Sequence, residues 1–123
     1  PVQLLRLGPF VLAALPNEPT TTVGHRLRAR LEAALGPGTR AHVQGYANAY
    51  AGYLTTPEEY RLQRYEGAYT LFGPHTLGAF TEALEDLVAS LDGAPAPIDG
   101  PPLQVLTDAE LATRAFSRPT PSR

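Results

Sequence analysis

The chain has no cysteine, methionine, tryptophan or lysine, and its ten basic residues are all arginine. Without cysteine, disulfides and thiolate metal sites are excluded. The compartment stays open, because a secreted protein need not carry cysteine. There is no apolar run of about 18 residues, so no segment of the sequence reads as a membrane-spanning helix. The net charge of -2 and pI near 5.9 give no electrostatic case for nucleic acid or an anionic membrane. No P-loop, GxGxxG, GxSxG or HExxH is present, which removes the common nucleotide, serine-hydrolase and helix-borne zinc signatures. With no methionine, the chain opens at Pro1 directly into an apolar run. A native start would carry an initiator or a leader, so Pro1 is expected to be an internal position of a longer gene product. All-arginine usage with abundant alanine and proline reads as the coding bias of a GC-rich, bacterial genome.

What is present suffices for one globular unit: 123 residues, 43% of them hydrophobic. Val2 to Leu7 and Phe10 to Leu15 are short apolar runs separated by Gly8-Pro9, a strong turn signal. They predict a β-hairpin or two consecutive buried strands. Neither run alternates cleanly, which predicts burial on both faces. Val23, Leu27, Leu31, Ala34 and Leu35 then recur at helical spacing, with Thr20 or Thr21 as cap and Gly36-Pro37-Gly38 as terminator. Arg40 to Gln44 reads as a strand, completing a βαβ unit. Thr56-Pro57-Glu58-Glu59 is a capping-box helix start, with the helix expected to reach Tyr65 or Glu66 and stop at Gly67. After Gly73-Pro74, residues Leu77, Phe80, Leu84, Leu87, Val88 and Leu91 form an amphipathic stripe ending at Gly93. A Pro-rich linker follows from Ala94 to Pro102. Weak helical character extends from Leu103 to Phe116, with Thr107 as a candidate cap, and the SRPTPSR tail is expected to be disordered. The fold class is therefore α/β: a hairpin or paired strands, a βαβ unit and further helices, forming part of a larger mixed-sheet domain. The division is 1–93 and 94–123.

The stretch from Gly45 to Leu77 stands apart. All six tyrosines fall in it, at 46, 50, 53, 60, 65 and 69, and glycines at 45, 52, 67 and 73 divide it. Phenol-rich, glycine-punctuated loops build polar sites on rigid scaffolds. Two residues that each precede a helix signal stand out, Glu18 outside this stretch and Tyr53 within it. Glu18 is either a solvated acid favoured by a helix dipole or a metal-ligand or general-base carboxylate at a strand end. Tyr53, just after Gly52, is either a packed ring with a satisfied hydroxyl or a phenol oxygen beside a cation or developing oxyanion. Tyr65 lies twelve residues further on, a spacing that lets a helix-turn bring both phenols to one cavity. His25 and His42 read as structural, and His75 in Gly-Pro-His-Thr-Leu is the best site candidate of the three histidines. On residues alone the site is polar, open to metal assistance, and incomplete.

Two segments carry a resemblance. GYANAYAGYLTTPEEYRLQRYEGAYTLFGPHTL and Pro-Asn-Glu-Pro-Thr-Thr-Thr-Val-Gly-His-Arg-Leu-Arg closely resemble the neutral ceramidase family (neutral/alkaline non-lysosomal ceramidases) across residues 3 to 92. The resemblance implies that 1–93 is the C-terminal portion of a ceramidase-like catalytic domain. It implies zinc-dependent hydrolysis of the amide of ceramide to a sphingoid base and a fatty acid. Glu18 and Tyr53 match two zinc ligands of the family, and Tyr65 matches a tyrosine lining the reacting centre. Two histidine ligands, a serine and an arginine belong to upstream segments that nothing in this chain matches. The chain alone is therefore expected to be inactive and to associate with the upstream segment. A secreted or periplasmic location is also implied. His25 stands where the family usually has arginine, and the immunoglobulin-like domain that many members carry is expected to be missing or truncated. The alternatives are a related N-acyl amide hydrolase with another substrate, or a non-catalytic interaction module on the same scaffold.

Overall fold

The computed structural model describes residues 1–93, 95, 100 and 105–114. Strands β1 (Gln3–Leu7) and β2 (Phe10–Ala14) form the hairpin, antiparallel with Leu7 opposite Phe10 and Gln3 opposite Ala14. Gly8 makes the turn at φ 60°, a left-handed conformation that glycine adopts without a Cβ penalty. Helix α1 (Thr21–Leu35) crosses over to β4 (Arg40–Gln44), which lies parallel to β2 with Val11 beside Ala41. The three-stranded sheet is thus mixed, in the order β1-β2-β4. A second, two-stranded parallel sheet joins β3 (Glu18–Pro19) to β5 (Tyr53–Leu54). Helices α2 (Pro57–Arg61), α3 (Tyr65–Ala68), α4 (Thr76–Leu91) and α5 (Asp108–Arg114) complete the described elements.

The core lies between one face of the larger sheet and the apolar stripes of α1 and α4. Ala13 and Leu15 meet Val23, Leu27 and Leu31 from α1 and Leu77, Leu84 and Val88 from α4, with Leu54 carrying the cluster to the smaller sheet. Fully burying a Leu or Val side chain is worth about 1.5–3 kcal/mol, so this stripe fixes α1 against both sheets. Two ion pairs brace the outside, Arg26–Glu58 at 3.0 Å and Arg30–Glu85 at 2.6 Å. Both are exposed, and such pairs contribute little.

Three expectations are revised. Burial on both faces holds for one face only: Leu5, Leu7 and Phe10 are 50%, 72% and 42% exposed. They project away from α1 and α4, and among the described residues no element covers that side. The helix begun at Thr56 does not run to Tyr65. It ends at Arg61 with Leu62 as its C-cap, Gln63 turns left-handed at φ 47°, and α3 starts afresh after Arg64. Gln63 accomplishes this by bonding Tyr60 O twice, through its backbone N at 3.0 Å and its Nε2 at 2.7 Å. Gly67 is no terminator but a buried residue inside α3, where a Cβ would stand 3.0 Å from Glu59 O. A side chain there would crowd the backbone where α2 passes over α3. The helix expected between Leu103 and Phe116 is present as Asp108–Arg114, with Thr107 and Glu110 exchanging capping bonds. The Pro-rich linker and the SRPTPSR tail lie mostly outside the described residues.

Candidate functional site

The site is assembled where β3 and β5 run side by side. Glu18 is the register partner of Tyr53, and Pro19 of Leu54. Paired residues in a parallel ladder project to the same face, so the carboxylate and the phenol leave the sheet together. Glu18 N donates to Gly52 O at 3.0 Å and Thr20 N to Leu54 O at 3.0 Å, locking the register. Both strands end in helix caps. Thr20 accepts from Val23 N at the start of α1, and Thr56 accepts from Glu59 N at the start of α2. Side chains at the carboxyl ends of parallel strands are where open α/β sheets place ligands.

The loop from Gly45 to Gly52 wraps the same point. It is pinned by Tyr46 N to Asn17 O at 3.0 Å, Ala47 N to Leu15 O at 2.9 Å and Ala51 N to Pro16 O at 2.9 Å. Asn17 is fully buried and donates its Nδ2 to Ala51 O at 2.9 Å, while its Oδ1 has no partner among the described residues. Tyr46 and Asn48 take left-handed backbone conformations at φ 57° and 64°. Such conformations cost about 1–3 kcal/mol each and persist only where the surroundings dictate them. Gly45 and Gly52 are dictated by space. A Cβ at 45 would lie 2.8 Å from Asn17 O, and one at 52 would lie 2.8 Å from Tyr69 O.

Three of the six tyrosines, Tyr46, Tyr50 and Tyr53, face Glu18, and Tyr65 and Tyr69 adjoin them through ring contacts. The rings of Tyr46 and Tyr50 stack at 5.6 Å, and Tyr50 donates its hydroxyl to Glu18 Oε2 at 3.3 Å. Tyr65 meets the ring of Tyr53 edge-on at 5.4 Å and stacks on Tyr69 at 5.9 Å. Tyr53 and Tyr65 thus meet ring to ring, but Tyr65 is exposed and is not among the residues lining the cleft that Tyr53 borders. Tyr53 N donates to Tyr69 O at 3.1 Å, and a buried Thr55–Thr70 hydroxyl pair at 2.9 Å ties β5 to the end of α3. Three of the phenols, Tyr46, Tyr50 and Tyr53, are raised above the ordinary tyrosine value. The Tyr46 hydroxyl is pushed up to about 12, first by hydrogen bonding with Glu18 and then by partial loss of water. Tyr50 and Tyr53 are also raised, each first by desolvation and then by Glu18. The raised phenols stay protonated beyond the ordinary tyrosine range, and Tyr50 is the one whose hydroxyl donates to Glu18.

Glu18 and Tyr53 also line a cleft of about 450 Å³ that reaches the start of α1 and includes Thr20, Glu59, Arg64 and Glu66. His75 is elsewhere, exposed at the head of α4 and not among the residues lining this cleft. His25 and His42 face each other across α1 and β4, in a smaller pocket with Arg28. Among the described residues no group of three or more His, Asp or Glu side chains converges. Sequence reasoning missed Tyr50 and Asn17, and it took Glu59 as the cap of one helix only. The Asn-Glu pair ahead of a Thr-rich cap was the available signal.

The donor set fits a hard cation in kind and in part. A carboxylate and a phenol oxygen from adjacent strands are suitable hard ligands. Together they are fewer than the three or four protein ligands that zinc takes.

The chain as a whole is similar to known proteins. Residues 1–82 match the family model described as neutral/alkaline non-lysosomal ceramidase, N-terminal. Neutral ceramidase A of Dictyostelium discoideum is 45% identical over 100 residues, covering 78% of this chain and 14% of that protein. The neutral ceramidase of Mycobacterium tuberculosis is 47% identical over 98 residues, covering 77% and 15%. Among solved structures, one described as ceramidase complexed with C2 superposes with a TM-score of 0.72 at 38% identity, over 81% of this chain and 16% of that one. The neutral ceramidase from Pseudomonas aeruginosa superposes at 0.69 and 36% identity. The chain spans about one-seventh of the length of the curated relatives it matches. On the family match, the identities and the shared fold together, this chain belongs to the neutral/alkaline non-lysosomal ceramidase family.

Proposed function

We infer that the chain supplies part of the active site of a zinc-dependent ceramidase, which adds water across the N-acyl amide of ceramide to release a sphingoid base and a fatty acid. The observation carrying this reading is the register pairing of Glu18 with Tyr53, with the Tyr65 ring 5.4 Å from that of Tyr53. In the proposal Glu18 and Tyr53 are the chain's two metal ligands. Zinc, when bound, supplies Lewis acidity toward the amide carbonyl. The remaining donors come from an upstream segment of the complete protein, which associates with this one.

The chain's own residues do the rest. Tyr50 holds the Glu18 carboxylate in place through its hydroxyl. Tyr65 directs its phenol toward the reacting centre and donates a hydrogen bond to the amide oxygen as negative charge develops there. The exposed Tyr46 and Tyr50 rings, stacked nearly parallel at 11°, offer an amphipathic wall to an N-acyl lipid.

The test is made in the complete protein with Glu18→Ala and Tyr53→Phe. Each is expected to lower zinc content, read by elemental analysis, and ceramide hydrolysis by about 100-fold or more. That size follows from several kcal/mol of charge stabilisation at about 1.4 kcal/mol per tenfold. Full zinc and near-parental turnover in both variants would sink the assignment. Faster turnover of an N-acyl amino acid than of ceramide would move the chain to a different amide substrate.

A further inference from the structure

Glu59 makes more bonds than a helix cap needs. Its Oε2 accepts from Thr56 N at 2.9 Å, the reciprocal bond of the α2 capping box. The same oxygen accepts from Thr20 Oγ1 at 2.9 Å, and Thr20 is the N-cap of α1, 39 residues away. One carboxylate oxygen therefore joins the N-caps of two helices. Those helices follow the two strands of the smaller sheet. Thr20 is two residues after Glu18, and Thr56 is three residues after Tyr53. The β3–β5 ladder is only two residues long on each side. A ladder that short is weak on its own. It is held from one end by the loop bonds at Gly52 and Tyr69, and from the other by Glu59.

We propose that Glu59 is a positioning residue for the site: by bridging the Thr20 and Thr56 caps it fixes the separation of Glu18 from Tyr53. The proposal rests on the reading of Glu18 and Tyr53 given above. It deepens that reading by naming the residue that sets their geometry. Glu59 lines the cleft but donates nothing to the reaction in this account. Supporting the assignment, its carboxyl is held below the usual carboxylate range by the Thr56, Thr20 and Thr22 hydrogen bonds, against the opposing effect of partial burial. Outer residues that orient ligands typically govern metal affinity by 10–100-fold.

The experiment compares Glu59→Ala and Glu59→Gln in the complete protein, by amide hydrogen exchange and by competition for zinc with a chelator. A glutamine oxygen can accept both bonds, because both now fall on one atom, so Glu59→Gln is expected to stay within about threefold of the parent. Glu59→Ala removes both bonds. It is expected to speed exchange about tenfold in peptides carrying the Glu18 and Thr20 amides, leave α4 peptides unchanged, and weaken zinc binding about 10–100-fold.

A merely structural role would loosen α4 to the same extent or lower the melting temperature with zinc affinity intact, and either result overturns the proposal. So does a Glu59→Gln variant as impaired as Glu59→Ala. If the parent binds no zinc, the functional reading fails, and the exchange pattern alone decides whether Glu59 holds the two strands.

Discussion

Gly52→Ala is the substitution on which the geometry of the site bears most heavily. Gly52 sits at φ 74°, and its new Cβ would stand 2.8 Å from Tyr69 O. The left-handed conformation costs a side chain about 1–2 kcal/mol. The overlap is with a backbone carbonyl that cannot rotate away, which adds about 1–3 kcal/mol as overpacking does. The sum is about 2–5 kcal/mol. Relief requires β5 to move off Tyr69, breaking the 3.1 Å bond from Tyr53 N and drawing the Tyr53 ring away from Tyr65. Gly38→Ala is the control. It has φ 87° but nothing within 4 Å of the new Cβ, so it incurs the conformational cost alone. Chemical denaturation of the two variants, with amide exchange at Tyr53, makes the comparison. Gly52→Ala should be less stable than Gly38→Ala by about 1–3 kcal/mol and should exchange Tyr53 faster. Equal stability and equal exchange would refute the crowding argument.

Tyrosine ionisation gives a further check, followed by phenolate absorbance near 295 nm in chelator-treated protein. Tyr46 is pushed up to about 12 from the usual 10, with hydrogen bonding to Glu18 the first cause, so Glu18→Gln should shift part of the absorbance to lower pH. The folded state binds the proton more tightly than the unfolded one. The associated stability is therefore complete below pH 10 and lost as pH rises through about 12. No change in the titration of Glu18→Gln would separate Glu18 from the phenols. Leu27→Ala, at a position 1% exposed between α1 and the sheet, should cost about 2–5 kcal/mol in denaturant midpoint. A loss below about 1 kcal/mol would mean that α1 is not seated as described.

The elements were largely legible because their signals are local. The Gly8-Pro9 turn, the α1 stripe, the Arg40–Gln44 strand and the Thr56 capping box depend on near neighbours, and each stands where the sequence put it. The break at Gln63 was not legible, since nothing in its composition demands a left-handed turn. It becomes necessary only once α3 must fold back under α2 at Gly67. Exposure of Leu5 and Leu7 was equally hidden, because an apolar strand reports that it can be buried and not on how many sides. At the site, chain spacing suggested the meeting of Tyr53 with Tyr65. It could not reveal Tyr50 bonding Glu18 across 32 residues, or Glu59 bonding Thr20 across 39. Those contacts are products of the β3–β5 register, a long-range fact that no local pattern encodes.

The central claim is that Glu18 and Tyr53 share one metal ion. The most direct measurement is anomalous diffraction at the zinc absorption edge from crystals of the complete protein grown with zinc. The account predicts one strong peak about 2.0–2.2 Å from a Glu18 carboxylate oxygen and within bonding distance of the Tyr53 hydroxyl. A zinc peak bound elsewhere, with Glu18 and Tyr53 making no contact to it, would contradict the account.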